Sequence, residues 1–236
     1  MKNILLIGDS IRIGYDNYVK LSMAPLAKVV FPAENCRFSG YVLRNLHNWT
    51  DELHMYEADL VHWNVGHWDT VRIYGDEPLT RPNVYADNLL RINDRIHFLF
   101  PNAKSVFATS TPVIEQGYIK DFEIRYNDDI RKYNDIAKRT LQKEGVIFND
   151  LYQLLENRTD SLHSDQTHYY TPDATELIGE QVCKVLCNEL DLDTDNLTYP
   201  DKNLFARPNV KGDIEMYEKY GQIYILKTET WKNREL

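Results

Sequence analysis

Two short segments, far apart in the chain, carry residue types that can do covalent chemistry together. Gly8-Asp9-Ser10 closes the apolar run Ile4-Leu5-Leu6-Ile7, and Ser164-Asp165-Gln166-Thr167-His168 sets a carboxylate and an imidazole three positions apart. A serine hydroxyl is a weak nucleophile until a neighbouring imidazole takes its proton, and the imidazole works best when a carboxylate fixes its tautomer. The first segment places a serine at the mouth of a buried strand, with its own amide at a helix start. The second supplies a base, His168, and the group that orients it, Asp165. Together they point to acyl transfer. The bland alternative is that Ser10 caps a helix and His168 sits in a surface loop.

These residues need a frame to bring them together. Ile4–Ile7, Ala27–Phe31, Leu60–Val65, Ser105–Ala108 and Val146–Phe148 are short apolar runs bounded by turn formers. Continuous rather than alternating hydrophobicity fits strands covered on both faces. Between them, Asn83–Phe100 has helical spacing and stops at Pro101. Phe122–Glu144 is rich in i, i+4 charge pairs and closes at Gly145. Pro172–Leu190 has Thr171 as N-cap and proline at its first position. The alternation predicts an α/β domain: a parallel sheet of about five strands with helices on both faces, and ligands beyond the carboxyl ends of the strands. That domain is expected over 1–190. Residues 191–236 turn acidic and proline-interrupted, with Ile223–Leu226 as one further strand, and read as a C-terminal arm on the domain or on a second copy of the chain.

Composition narrows the function classes. With 43% hydrophobic and 27% charged residues the chain has the make-up of a water-soluble globular protein. A net charge of −9 disfavours a nucleic-acid partner. Arg125, Arg131, Lys132, Lys138 and Arg139 are interleaved with acids and read as one solvated helix face. No apolar run reaches the ~20 residues of a membrane helix, and Ile4–Ile7 is too short for a signal sequence. Three cysteines, Cys36, Cys183 and Cys187, fit a reducing compartment, so a cytoplasmic location is expected. Cys183 and Cys187 fall on one buried helical face. The histidines show no metal-ligand grouping, and no cofactor is expected.

With these residues laid out, the sequence resembles the GDSL/SGNH hydrolase superfamily over roughly residues 3–190. Gly8-Asp9-Ser10 is similar to its first block, with Ile11 where the family name has leucine, and Asp165-Gln166-Thr167-His168 is similar to its last. The resemblance implies a three-layer α/β/α flavodoxin-like fold and a catalytic triad of Ser10, His168 and Asp165. It further implies an oxyanion hole from the amide of Ser10, a glycine amide after the second strand, here Gly40, and an asparagine side chain after the third. At that last place the sequence departs from the pattern. Gly66-His67-Trp68-Asp69 puts tryptophan where asparagine is expected, and Asn64, just upstream, is the candidate side-chain donor; alternatively it ties the strand end together. The stretch Asn64–Asp69 is similar to one in polysaccharide O-acetyltransferase relatives. Arg37, Trp63, Trp68 and Tyr41 fall in the same loops and are candidates to line a sugar or acyl pocket.

The resulting expectation is a serine esterase acting on a small acyl ester, an O-acetyl group on a carbohydrate. Two readings stay open beside it: an O-acyltransferase using the same triad, and a non-catalytic carbohydrate-binding relative. A phosphate-binding flavodoxin-like protein is disfavoured because no Gly-rich phosphate loop follows any strand.

Overall fold

The computed structural model describes residues 1–118, 123–158 and 160–205. Five parallel strands form the main sheet: β1 (Lys2–Ile7), β2 (Ala27–Val30), β3 (Leu60–Trp63), β5 (Lys104–Ala108) and β7 (Ile147–Asn149), in the order β2-β1-β3-β5-β7. All four residues of β3 and the last four of β1 are buried, because helices cover the sheet on both sides. A separate antiparallel ribbon pairs β4 (Arg72–Ile73) with β6 (Glu123–Ile124).

The helices are α1 (Ser10–Ser22), α2 (Ser39–Glu52), α3 (Pro82–Leu99), α4 (Asn127–Leu141), α5 (Leu151–Leu155) and α6 (Pro172–Leu190). Alternation along the strands sends neighbouring side chains to opposite faces. Leu5, Ile7, Val61, Trp63 and Phe107 join residues of α2, α3 and α4 in one core, and Ile4, Leu6, Leu60, Val106 and Ala108 join α1, α5 and α6 in the other. The result is the three-layer α/β/α arrangement expected from the sequence. Cys183 and Cys187 lie inside the second core.

Local signals explain the helix limits. Asp9 caps α1 by accepting from the Ile11 amide at 2.9 Å, and Thr171 caps α6 through the Ala174 amide. Proline opens α3 and α6. The first turn of α4 carries Asp128 and Asp129 and its last turn Lys138 and Arg139, the arrangement the helix dipole favours. Two expectations need correction here. The helix expected over 122–144 begins only at Asn127, because Glu123–Ile124 is drawn into the ribbon with Arg72–Ile73. Arg125, expected on a solvated helix face, lies before that helix and is 5% exposed.

Of the arm expected over 191–236, residues up to 205 are described. They lie along α1 and α6: the Thr198 amide donates to the Ser22 carbonyl, the Phe205 ring sits 5.5 Å from that of Tyr18, and Lys202 bridges Asp173 and Glu176. The strand expected at Ile223–Leu226 falls outside the described residues. No described helix is long and apolar enough to cross a membrane.

Candidate active site

In a sheet of order 2-1-3-4-5, counted along the five parallel strands, the crevice opens at the carboxyl ends of the first and third, where consecutive connections diverge to opposite faces. Ser10 follows β1 directly and Asn64 follows β3. Gly8 marks how tightly the two strand ends approach. A Cβ built there would stand 2.0 Å from Asn64 Oδ1 and 2.7 Å from Arg12 Cβ, so only glycine leaves room.

Ser10 opens α1, where the first-turn amides have no partner within the helix and point out of its end. Its Oγ lies 2.9 Å from His168 Nε2, across 158 positions of sequence. His168 Nδ1 in turn lies 2.7 Å from Asp165 Oδ2. Burial alone would push the Asp165 carboxyl up. The hydrogen bond and charge of His168, with the amides of His168 and Thr167 on Oδ1, outweigh it and hold the group down to about 2. An ionised carboxylate can only accept, so Nδ1 carries the imidazole proton and Nε2 is left to accept from the serine hydroxyl. The structure thus brings together the three residues that the sequence placed at opposite ends of the domain.

The loops around this trio are cross-tied. Asp69 accepts from the Ser39 amide, at 3.0 Å on Oδ2, and from the Ser39 hydroxyl at 2.5 Å on Oδ1, and Asn88 of α3 donates to the same hydroxyl. A carboxylate at a helix N-terminus suits the dipole. Burial nevertheless pushes the Asp69 carboxyl up to about 6 against those hydrogen bonds. The tie fixes the start of α2, and Gly40 stands in its first turn rather than in an isolated loop. On the other side, Arg12, almost fully buried and ion-paired with Asp16 at 2.5 Å, donates to the carbonyls of Glu34 and Gly8. It pins the loop after β2 against the turn that carries the serine.

Not every candidate reaches the crevice. Trp63, expected to line a pocket, is fully buried: its indole N–H donates to Ser105 Oγ at 3.0 Å and its ring meets Phe107 edge-on at 4.8 Å. As the last residue of a strand covered on both faces it had no other direction to take. Asn64 is 2% exposed, and its amide nitrogen donates one of its two N–H groups to Asp9 Oδ1 at 3.0 Å, which ties the end of β3 to the carboxylate preceding Ser10. This is the strand-end tie weighed against the donor role. Trp68 alone between Leu60 and Val71 is not buried. Arg37 is exposed, adopts a left-handed backbone (φ 56°) and lays its guanidinium 4.7 Å over the Tyr41 ring.

Two side chains of this region carried no motif signal. Arg125 Nε donates to the His67 carbonyl at 2.8 Å, and Tyr118 OH bonds Thr167 Oγ1 at 2.7 Å, so the segment after β5 holds both the 66–69 loop and the loop bearing Asp165. A basic residue beside acids in a charge-rich stretch gives no hint of such a role; only the packing of β6 on β4 turns it inward. Burial, with the positive charge of Arg125, lowers the basicity of His67 and keeps its ring neutral, bonded to Thr111 Oγ1 at 2.9 Å. Asp9 is completely buried and pushed up by that burial. Among the described residues no group of three or more histidine, cysteine, aspartate or glutamate side chains could hold a metal ion.

No family model matches this sequence, and no curated protein matches it. Solved structures do. A lipase/acylhydrolase from Enterococcus faecalis superposes with a TM-score of 0.61 at 19% identity, over 85% of this chain and 99% of the other. A GDSL-like lipase from Bacteroides thetaiotaomicron gives 0.62 at 14% identity, over 79% and 88%. The chain has the fold of the GDSL/SGNH hydrolases. A carbohydrate acetylesterase family member from Sinorhizobium meliloti matches that fold again, with a TM-score of 0.66 at 16% identity, over 81% of this chain and all of the other. Ser10 follows β1, Arg37 lies after β2 and Trp68 after β3, all at the carboxyl ends of the strands, and His168 meets Ser10 there.

Proposed function

We propose that this protein is a serine esterase that hydrolyses a small acyl ester, an O-acetyl group on a carbohydrate, through Ser10, His168 and Asp165. The observation that carries the reading is the unbroken hydrogen-bonded line Ser10 Oγ, His168 Nε2, His168 Nδ1, Asp165 Oδ2, at 2.9 and 2.7 Å. Ser10 Oγ attacks the ester carbonyl carbon, its proton passes to His168 Nε2, and the carbonyl electron pair moves to oxygen. The tetrahedral intermediate collapses, and the alcohol leaves with the proton held by His168. Water then repeats the sequence on the acyl-serine and releases the acid. Asp165 stays ionised throughout, orients the imidazole and balances its charge.

The developing oxyanion needs donors aimed at it, each worth several kcal/mol of barrier. We assign the amides of Ser10 and Gly40, in the first turns of α1 and α2, where unpartnered N–H groups and the dipole favour an anion. Asn64 acts behind them by holding Asp9. The acetyl group and the carbohydrate are supported by the carbohydrate acetylesterase among the matched folds, the half-buried aromatic Trp68, and the cation Arg37 beside Tyr41.

Labelling with a fluorophosphonate, followed by mass mapping of the modified peptide, tests the nucleophile without knowledge of the natural substrate. The expected result is a single adduct on Ser10, lost in Ser10→Ala together with hydrolysis of p-nitrophenyl acetate. An adduct elsewhere, or none on the folded protein, overturns the assignment.

A further inference from the structure

The base of the proposed site sits in an irregular loop, yet its nitrogen must stay within hydrogen-bond reach of a hydroxyl held by a helix. One side chain touches both partners. Tyr170 OH donates to the backbone carbonyl of Ser10 at 2.8 Å, and its ring stacks on the His168 imidazole with centroids 4.7 Å apart and planes 18° from parallel. That ring also lies close to α1. A Cβ on Gly14 would stand 3.1 and 3.2 Å from two Tyr170 ring carbons, tighter than ordinary packing allows. Ser10 and Gly14 are one turn apart on the same face of α1. The absence of a side chain at Gly14 therefore opens the slot in which the phenol lies, between the helix and the imidazole. At the other end, the Tyr170 amide donates to Ser164 Oγ at 3.3 Å, and the same hydroxyl donates to the His168 carbonyl, so both rings are fixed to one backbone turn.

We propose that Tyr170 is a positioning residue that sets the separation between Ser10 and His168, and that its ring supports the imidazolium formed when Ser10 gives up its proton. The inference rests on the esterase reading above, since it needs Ser10 as nucleophile and His168 as base. Its chemistry is general: an aromatic face attracts a cation, so a stacked ring favours the protonated imidazole over the neutral one, in the direction the transition state requires. The hydroxyl does the separate job of fixing where the first turn of α1 lies beneath that imidazole. The other titratable groups facing His168 are Asp165 on its own loop, Asp9 at the head of α1 and His67 after β3. None of them changes in the variants below.

The experiment measures the second-order rate of fluorophosphonate labelling of the full chain across pH 4–9, for the wild type, Tyr170→Phe and Tyr170→Leu, with circular dichroism as the check on folding. Tyr170→Leu removes stack and hydroxyl; labelling of Ser10 should slow by about tenfold or more, and the acid limb of the profile should move to lower pH because the imidazolium has lost its ring. Tyr170→Phe keeps the stack; its rate should fall by about three- to tenfold with the acid limb unmoved. A purely structural residue would lower the fraction of folded protein but leave the limb of the folded fraction in place. If the wild type is labelled at Ser10 and folded Tyr170→Leu reacts at the wild-type rate with the same limb, the proposal for Tyr170 is overturned and the esterase reading stands. If Tyr170→Leu does not fold, Tyr170→Phe decides: a wild-type rate removes the anchor on Ser10 and overturns the proposal. If the wild type is not labelled at Ser10, both readings fall together.

Discussion

Ser10 stands between a buried strand and a thirteen-residue helix with 7% of its surface exposed, whereas Asp165 and His168 lie in a stretch without regular structure, their side chains 17% and 27% exposed. The serine is placed by the fold. Two parallel strands, the cap at Asp9, Gly8 and the buried Arg12 fix its turn from several directions. The imidazole is placed mainly by four or five residues of local sequence. Asp165 Oδ1 accepts the amides of Thr167 and His168 while Oδ2 holds Nδ1, and the Ser164 amide closes the turn on the His168 carbonyl. Such a loop leans on few contacts for its conformation, and Tyr118 and Tyr170 tie it to the rest of the fold.

The sharpest way to break this comparison is Asp165→Asn. An amide in place of the carboxylate turns a donor toward Nδ1 and stabilises the wrong tautomer, and kcat on p-nitrophenyl acetate should fall by about 10⁴. The two backbone amides can still find an oxygen, but the contribution of the ionised carboxylate is lost, so the melting temperature should fall by a few degrees at neutral pH. A fall of less than tenfold would mean that Asp165 does not orient the base. Asp69, the carboxylate on the serine side, is expected to behave in the opposite sense with pH. Its folded-state value is pushed up to about 6, above the ordinary value near 4, so the native state binds the proton more tightly than the unfolded chain. Its contribution is therefore greatest below pH 4 and is lost as pH rises to about 6, whereas Asp165, held down to about 2, contributes above pH 4 and loses that contribution only as pH falls toward 2. The stability difference between wild type and Asp69→Asn, from urea titrations at pH 4 and pH 7, should shrink by about 3 kcal/mol over that interval. A difference that is flat or grows with pH would show that Asp69 stays ionised.

The same contrast explains what could be read from the sequence. Ile4–Ile7 and Leu60–Val65 announce buried parallel strands because a strand covered on both faces must be apolar throughout, and the three-layer fold follows. Thr171-Pro172 gives away the start of α6 through cap chemistry that acts locally. The spacing of Asp165 and His168 was legible for the same reason: a short-range hydrogen bond leaves a short-range pattern. What failed depended on distant partners. Trp63 and Trp68 are chemically alike and five positions apart; the first ends a strand covered on both faces, and the second lies in the loop beyond it. Arg125 looks solvated until β6 pairs with β4. Tyr170, in the loop before α6, carries no motif because its contacts are to Ser10 and Gly14 on α1, far away in sequence.

A finer test separates the two accounts of Asn64. If it serves Asp9, Asn64→Ala leaves a buried carboxyl short of a donor, and stability should fall by about 1–3 kcal/mol while kcat drops less than tenfold. If it is an oxyanion donor, stability holds and kcat falls by about 10²–10³. Urea melts and steady-state kinetics on one preparation distinguish these outcomes, and we expect the first.

The smallest expected effect probes the seam where the loop rejoins the fold. Thr171 accepts the Ala174 amide as N-cap of α6 and donates to the Leu162 carbonyl, so one hydroxyl closes both the helix and the segment before the loop. Thr171→Ala should cost about 1 kcal/mol of global stability, as for other N-caps. The loop's internal ties at Asp165 and Ser164 do not involve that hydroxyl, and the rate per folded molecule should therefore stay within a factor of two or three. If activity collapses while stability barely moves, the imidazole is being held from outside, through the start of α6, and the view of a base placed mainly by its own neighbours has to be abandoned.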